Sequence, residues 1–237
     1  MTASRVLEVA YHPDEKWPLS LLARLQGTAV LVSRHAGWAE SALSDLAFGV
    51  STRLGYLPDV VQAVDDALSG VGEQLQDRDA VVEGLLRKGY SFSSGDYAPV
   101  RRLLFSVCCF ITESRACFES LALFYQGFLE IYFGETVSKP LAYQAVEDAA
   151  HIPAWGSDLK RIRGALLHER SIWLAFEVKT DARSRYEPLF VLNWRPGHFG
   201  PDDCMDLPTL RKIGPGLRLA AVAIEQTLER RVEAITR

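Results

Sequence analysis

The chain has 237 residues, of which 48% are hydrophobic and 24% are charged, and this composition excludes a disordered or fibrous protein. That length allows one large domain or one domain with a smaller appendage. The formal net charge of -4 gives no overall positive field to attract nucleic acid, so an RNA site would have to be a local basic patch.

The termini, apolar runs and cysteines predict a cytoplasmic protein without a membrane segment. The N-terminus lacks the long apolar run of a signal peptide, and the most apolar segment, residues 103–112, is too short to span a bilayer. The four cysteines show no zinc or disulfide spacing, so we interpret them as reduced core residues. The histidines have no second ligand at metal spacing, and we expect neither a metal nor another cofactor.

The first 90 residues are predicted to form an N-terminal helical region. Residues 5–11 favour a short strand or an extended arm, and apolar residues then recur at helical spacing over residues 19–51. Gly55 is a predicted helix stop, and Pro58 a predicted first-turn residue of the next helix. A shorter helix at residues 79–88 and the loop GYSFSSG, residues 89–95, complete this region. The loop marks the predicted boundary with a second region, residues 91–237.

The strongest pattern lies in residues 98–133, where apolar residues step by three and four along one predicted helix of about ten turns. Gly134 is the predicted C-terminal cap. Arg115 falls within the apolar stripe, where an unpaired charge is costly, and Glu119 lies four residues on. We therefore predict an ion pair between these two side chains.

The remaining segments predict two more helices, a β-hairpin and a last helix. The helices fall at residues 141–149 and 154–170, and the period then changes to two, which indicates a strand at residues 172–178. A second strand at 189–194 completes a hairpin at about 171–194. An irregular loop, 196–206, leads to a helix at 208–235, which Gly214-Pro215-Gly216 should kink or split. The fold class is mainly α, a helical bundle with an inserted two-stranded β-hairpin.

The helix at residues 154–170 carries a basic patch next to an apolar face. Arg161 and His168 lie nearly opposite that face, whereas Arg163 is about 140° from His168 and turned toward the core. The patch consists of Lys160, Arg161, Arg163, His168 and Arg170. A histidine can take a proton from a ribose 2′-hydroxyl, and an arginine can hold a phosphate. Such a pair suits metal-free cleavage of RNA.

The motif Arg163-Gly-Ala-Leu-Leu-His168, placed after the long helix with Arg115 and Glu119, resembles the HEPN superfamily. The resemblance covers residues 98 to the C-terminus. It implies a helical bundle that forms a homodimer through the motif helix, and a metal-independent endoribonuclease or RNA-binding protein of a toxin–antitoxin or defence system. It also implies RNA as substrate, products with a 2′,3′-cyclic phosphate and a 5′-hydroxyl, and an antitoxin or another protein as partner. His168 would be the general base and Arg163 the phosphate contact, with Arg161 as its substitute and Lys160 and Arg170 as further substrate contacts.

Other interpretations stand beside this one. His168 near a helix end is also favoured by the helix dipole alone. Arg163 could be a buried arginine paired with Glu113, Glu119 or Glu147. Lys160 and Arg161 could simply belong to a solvated face of the helix. The family usually has a polar residue after the arginine, where this chain has Gly164. A second hypothesis is therefore a non-catalytic helical adaptor or scaffold whose motif helix is a dimer or partner interface.

Overall fold

The computed structural model confirms a mainly helical bundle with a small antiparallel sheet. It describes Trp17, Gly200 and residues 40–75, 97–167, 172–179, 185–193 and 203–236. The helices are α1 (Glu40–Leu75), α2 (Ala98–Phe133), α3 (Lys139–Ala149), α4 (Trp155–Leu167), α5 (Leu207–Arg211) and α6 (Ile213–Thr236). The strands are β1 (Trp173–Lys179), β2 (Arg185–Val191) and β3 (Cys204–Asp206). The predicted strand at 5–11, the helix at 79–88 and the boundary loop at 89–95 lie outside the described residues.

The long helix α2 forms the centre of the bundle and has the predicted length. It contacts α1, α3, α4 and α6, and it buries apolar side chains from Leu103 to Ile131. Gly134 caps it in the left-handed conformation (φ 66°), and its amide donates to the carbonyl of Glu130 at 3.2 Å. Glycine adopts this conformation at no steric cost, so the predicted cap is confirmed.

Helix α1 continues through Gly55 and Pro58, so the predicted stop and restart there are wrong. A proline inside a helix lacks the amide that would bond to the carbonyl four residues earlier, which here is Leu54. Arg218 of α6 donates to that carbonyl oxygen from Nη2 at 2.9 Å. A side chain distant in sequence therefore satisfies the group that the proline leaves unpaired.

Helices α1 and α2 share one hydrophobic core with α6 and with Trp17. The Trp17 ring packs edge-on against Phe124, with 5.0 Å between ring centroids. Its indole Nε1 donates to the carbonyl of Ala221 at 2.8 Å. Trp17 thereby connects the start of the chain to α2 and α6. Of the cysteines, which are all free, only Cys117 is buried, so the expectation that all four are core residues is wrong.

The sheet has the order β1-β2-β3 and is larger than predicted. The hairpin register runs from Trp173↔Val191 to Lys179↔Arg185, so β2 begins four residues before the predicted Leu189. Strand β3 pairs with β2 in a segment that we predicted to be an irregular loop. Three residues are too few to show an alternating pattern, which explains why β3 gave no signal.

The last helical segment is divided just before the predicted glycine–proline–glycine break. The short helix α5 ends at Arg211, and α6 begins at Ile213. Asp206 caps α5 by accepting a hydrogen bond from the amide of Thr209 at 2.9 Å. Gly216 allows close packing of α6 on α4, because a Cβ there would lie 2.6 Å from Cδ2 of Trp155.

Candidate functional site

Helix α4, which carries the predicted motif, is fixed in the bundle by its first residue. Trp155 is 1% exposed, and its ring lies edge-on to Phe118 with 5.7 Å between centroids. Its indole Nε1 donates to the carbonyl of Glu147 at 3.0 Å. Leu159 and Ile162 continue the buried face, as their spacing predicted. The opposite side of α4 is therefore available for polar contacts.

Arg161 is engaged within the protein. Its Nη2 lies 3.4 Å from a carboxylate oxygen of Asp158, whose other oxygen lies 2.7 Å from Nζ of Lys212. The Arg161 side chain is 35% exposed, and its Nε is buried without a hydrogen-bond partner. Arg161, predicted on the solvated face, is thus half-buried beside Asp158, which it shares with Lys212. This engagement makes Arg161 a weaker candidate for the substitute phosphate contact.

Arg163 is half-buried and forms no ion pair with another described residue. Two of the three acids that could have formed a buried ion pair with Arg163 are paired with other arginines. Glu113 pairs with Arg53. Glu119 pairs with Arg115 at 2.8 Å, which confirms the predicted i,i+4 ion pair.

The third acid weighed for Arg163 is Glu147, on α3. The structure shows no ion pair between these two described residues. Lys160 is exposed, as predicted. The guanidinium of Arg163 is therefore uncommitted among the described residues.

His168 and Arg170 lie outside the described residues, which end at Leu167 in this segment. The juxtaposition of Arg163 with His168 stays a prediction. The helical conformation on which it depends extends through Arg163 to Leu167.

A cleft of about 300 Å³ opens where α3 meets α4. The two helices are joined by a tight corner in which His151 (φ 53°) and Ala154 (φ 61°) adopt the left-handed conformation, uncommon for residues other than glycine. The cleft combines carboxylate, imidazole, hydroxyl and apolar groups. It is lined by Glu147, Asp148, His151, Ile152, Pro153, Ala154, Trp155, Gly156 and Ser157.

Glu147 lies directly against the first turn of α4. A Cβ at Gly156 would be 2.4 Å from Cγ and 2.9 Å from Oε1 of Glu147, so a larger residue there would displace the Glu147 side chain. Burial raises the pKa of the Glu147 carboxyl. The positive charges of Lys160 and Arg115 lower this pKa, and the negative charge of Asp148 raises it. The cleft therefore holds a carboxyl group that is easier to protonate than a free glutamate.

Sequence reasoning missed this cleft. It found no second metal ligand near any histidine, His151 included, and considered Glu147 only as a partner for Arg163. The corner depends on positive φ angles at a histidine and an alanine, which neither residue type indicates. Gly156 was the one available signal, because a glycine within the first turn of a helix suggests a close approach.

The cleft and Arg163 lie on the same side of α4. At about 100° per residue, Lys160 lies about 40° from Gly156, and Arg163 about 20° in the other direction. Asp158 and Arg161 are turned away by about 140° or more. We call Lys160 and Arg163 the basic stripe. It runs from the cleft toward the end of α4.

No group of three or more His, Cys, Asp or Glu side chains in the described part of the chain could hold a metal ion. None of the helices within that part is long and apolar enough to cross a membrane. Comparison with protein-family models, with curated proteins and with solved structures finds no match. The features that bear on function are therefore those of this chain's own residues.

Proposed function

We propose that the protein is a HEPN-like RNA-binding protein that acts as a cytoplasmic homodimer and cleaves RNA without a metal ion. The single observation that carries the proposal is Arg163, which forms no ion pair with another described residue and lies on the motif helix with exposed Lys160. A half-buried guanidinium without an acidic partner is costly for the protein alone, and a phosphate would supply the missing charge. An antitoxin or another defence protein is the proposed partner.

In this proposal each residue of the motif has a separate role. Arg163 holds the scissile phosphate and stabilises the charge that develops on it. His168 takes the proton from the 2′-hydroxyl, whose oxygen then attacks the phosphorus and expels the 5′-oxygen of the next nucleotide, which takes a proton from water. The products are a 2′,3′-cyclic phosphate and a 5′-hydroxyl. In the dimer, two copies of α4 face each other and form a groove with two arginines and two histidines.

Cleavage of a labelled single-stranded RNA in the presence of EDTA tests this function. Wild type should cut, and His168→Ala should be slower by about 100-fold or more, as expected for loss of a general base. Arg163→Ala should also lose cleavage. The matched control is Arg230→Ala on α6, because Arg230 is exposed and bonds only within its own helix in the described structure. It should cut like wild type.

Two results test the catalytic proposal: the end groups of the RNA products and the relative cleavage rates of wild type and the three variants. Equal activity of wild type and His168→Ala would mean a contaminating nuclease and would remove the catalytic proposal. RNA binding without cleavage by any variant would favour the adaptor function instead.

The adaptor hypothesis has its own supporting observation on α4. The residues from Arg163 to Leu166 all remain half-exposed, and a Cβ at Gly164 would have no atom within 4 Å. Ala165 and Leu166 pack partly against the core, and the surface beside Gly164 is open among the described residues, as an interface would be. A leucine at Gly164 fits the single chain but would block a dimer interface on this surface. The control is Gly70→Leu, at an equally open glycine of α1, which should leave the dimer intact. Light scattering should show a monomer only for the first variant.

A further inference from the structure

We propose that the cleft between α3 and α4 binds one nucleobase of the RNA strand, with preference for a base that carries an amino group. This inference rests on the proposed function and adds its substrate specificity. The phosphates of the same strand would lie on the basic stripe, Lys160 and Arg163.

The size and composition of the cleft suit a single flat ring. About 300 Å³ is at the lower limit of the range for small-molecule sites, so one ring system fits and a large ligand does not. Ile152 and Pro153 offer apolar surface, and His151 offers an imidazole on which a base can stack. Proteins that recognise single-stranded RNA commonly hold an unstacked base between such side chains and bond to its edge.

The polar groups of the cleft determine which base edge it would accept. Glu147 and Asp148 present carboxylate oxygens, which accept hydrogen bonds from amino groups such as N4 of cytosine. Asp148 already accepts from Nε2 of Gln144 at 2.8 Å, and a carboxylate has capacity for further donors. Uracil has a carbonyl oxygen, O4, where cytosine has its amino group, and a carboxylate placed to accept from that amino group would repel it. The cleft therefore favours cytosine over uracil.

The cleft also has the correct position relative to the proposed phosphate contact. Gly156, Lys160 and Arg163 lie on one side of α4. The rise of about 1.5 Å per residue puts Arg163 about 10 Å beyond Gly156, which is about three stacked nucleotides at ~3.4 Å each. One strand can therefore place a base in the cleft and a phosphate at Arg163.

Titration of the whole protein with cytidine, and with uridine as the matched probe, tests the cleft directly. The reporter is the NMR resonance of the Trp155 indole proton, because Trp155 is one of the lining residues and its indole N–H donates to the Glu147 carbonyl. Cytidine should shift it, and uridine should shift it much less. Absence of a cytidine shift would overturn the inference.

The second measurement uses oligo(C) and oligo(U) with the His168→Ala protein, in which neither probe is cut. Oligo(C) should bind about tenfold more tightly. Glu147→Gln should abolish that difference, because the amide can donate to uracil, while the same substitution at exposed Glu135, away from the cleft, should preserve it. If oligo(C) and oligo(U) bind with equal affinity and Glu147→Gln changes neither affinity, the base preference is overturned while RNA binding stands. If neither oligonucleotide binds but cytidine shifts Trp155, the proposed function fails and the cleft remains a nucleobase site.

Discussion

Arg218 donates a hydrogen bond to the carbonyl oxygen of Leu54, the group that Pro58 leaves without its helical donor. A proline inside a helix normally costs about 3 kcal/mol or more, partly because this carbonyl loses its partner. Here the partner comes from α6, so the continuity of α1 depends on tertiary contact.

Arg218→Met keeps much of the aliphatic length of this side chain and removes its donors. We expect it to destabilise the protein by about 1 kcal/mol, the cost of leaving a partly buried acceptor without its protein donor. In the Pro58→Ala background the alanine amide bonds to Leu54, so the same substitution should cost less. Urea unfolding of the four proteins of this double-mutant cycle measures the coupling. Equal costs in both backgrounds would show that Arg218 acts through other contacts.

Two glycines should respond in opposite directions to the same substitution. A Cβ at Gly216 would lie 2.6–2.9 Å from ring atoms of buried Trp155, so Gly216→Ala should destabilise by about 1–3 kcal/mol. A Cβ at Gly164 meets no atom within 4 Å, so Gly164→Ala should stabilise by about 0.5–1 kcal/mol through helix propensity. Thermal unfolding checks both. A stable Gly216→Ala variant would mean that α4 and α6 can separate without cost.

The elements that could be predicted from sequence are those that local chemistry determines. The bounds of α2, its Gly134 cap and the ion pair of Arg115 with Glu119 depend on spacing within one helix, and all three were predicted correctly. The continuation of α1 through Pro58 was not predicted, because its stabilising group, Arg218, lies 164 positions beyond the carbonyl it contacts.

The same division applies to the candidate site. The helical placement of Arg163 and the exposure of Lys160 followed from the sequence pattern. The engagement of Arg161 with an acid that Lys212 shares did not, since Lys212 comes from the far end of the chain. The cleft also escaped prediction, because it arises from backbone conformations at His151 and Ala154 that those residue types rarely adopt.

The N-terminal cap of α5 should make stability depend on pH. Burial raises the pKa of Asp206, but hydrogen bonds from the Thr209 side chain and amide, its own amide and the charge of Lys212 together hold that pKa below its ordinary value of 3.8. A lowered folded-state pKa contributes stability that is present above pH 3.8 and is lost as the pH falls through the folded value.

Asp206→Asn keeps a capping side chain that does not titrate, and Asp206→Ala removes the cap at a cost of about 1 kcal/mol. The free energy of unfolding, measured from pH 7 to pH 3, should show the advantage of aspartate over asparagine shrinking below about pH 4. A constant difference across this range would show that the Asp206 charge does not stabilise the cap.

The salt dependence of RNA binding should distinguish the two arginines of the motif helix. Each phosphate contact on a single strand contributes about 0.7 to the slope of log K against log salt concentration. Arg163→Ala and Lys160→Ala should each reduce the slope by about that amount, because both side chains lie on the basic stripe and neither forms an ion pair with another described residue. Arg161→Ala should leave the slope unchanged, since Arg161 is paired with Asp158 and turned away from the stripe. Fluorescence anisotropy with one labelled RNA over a range of salt concentrations measures all three. A slope reduced by Arg161→Ala and unaffected by Arg163→Ala would move the phosphate contact to Arg161 and remove the observation on which the proposed function rests.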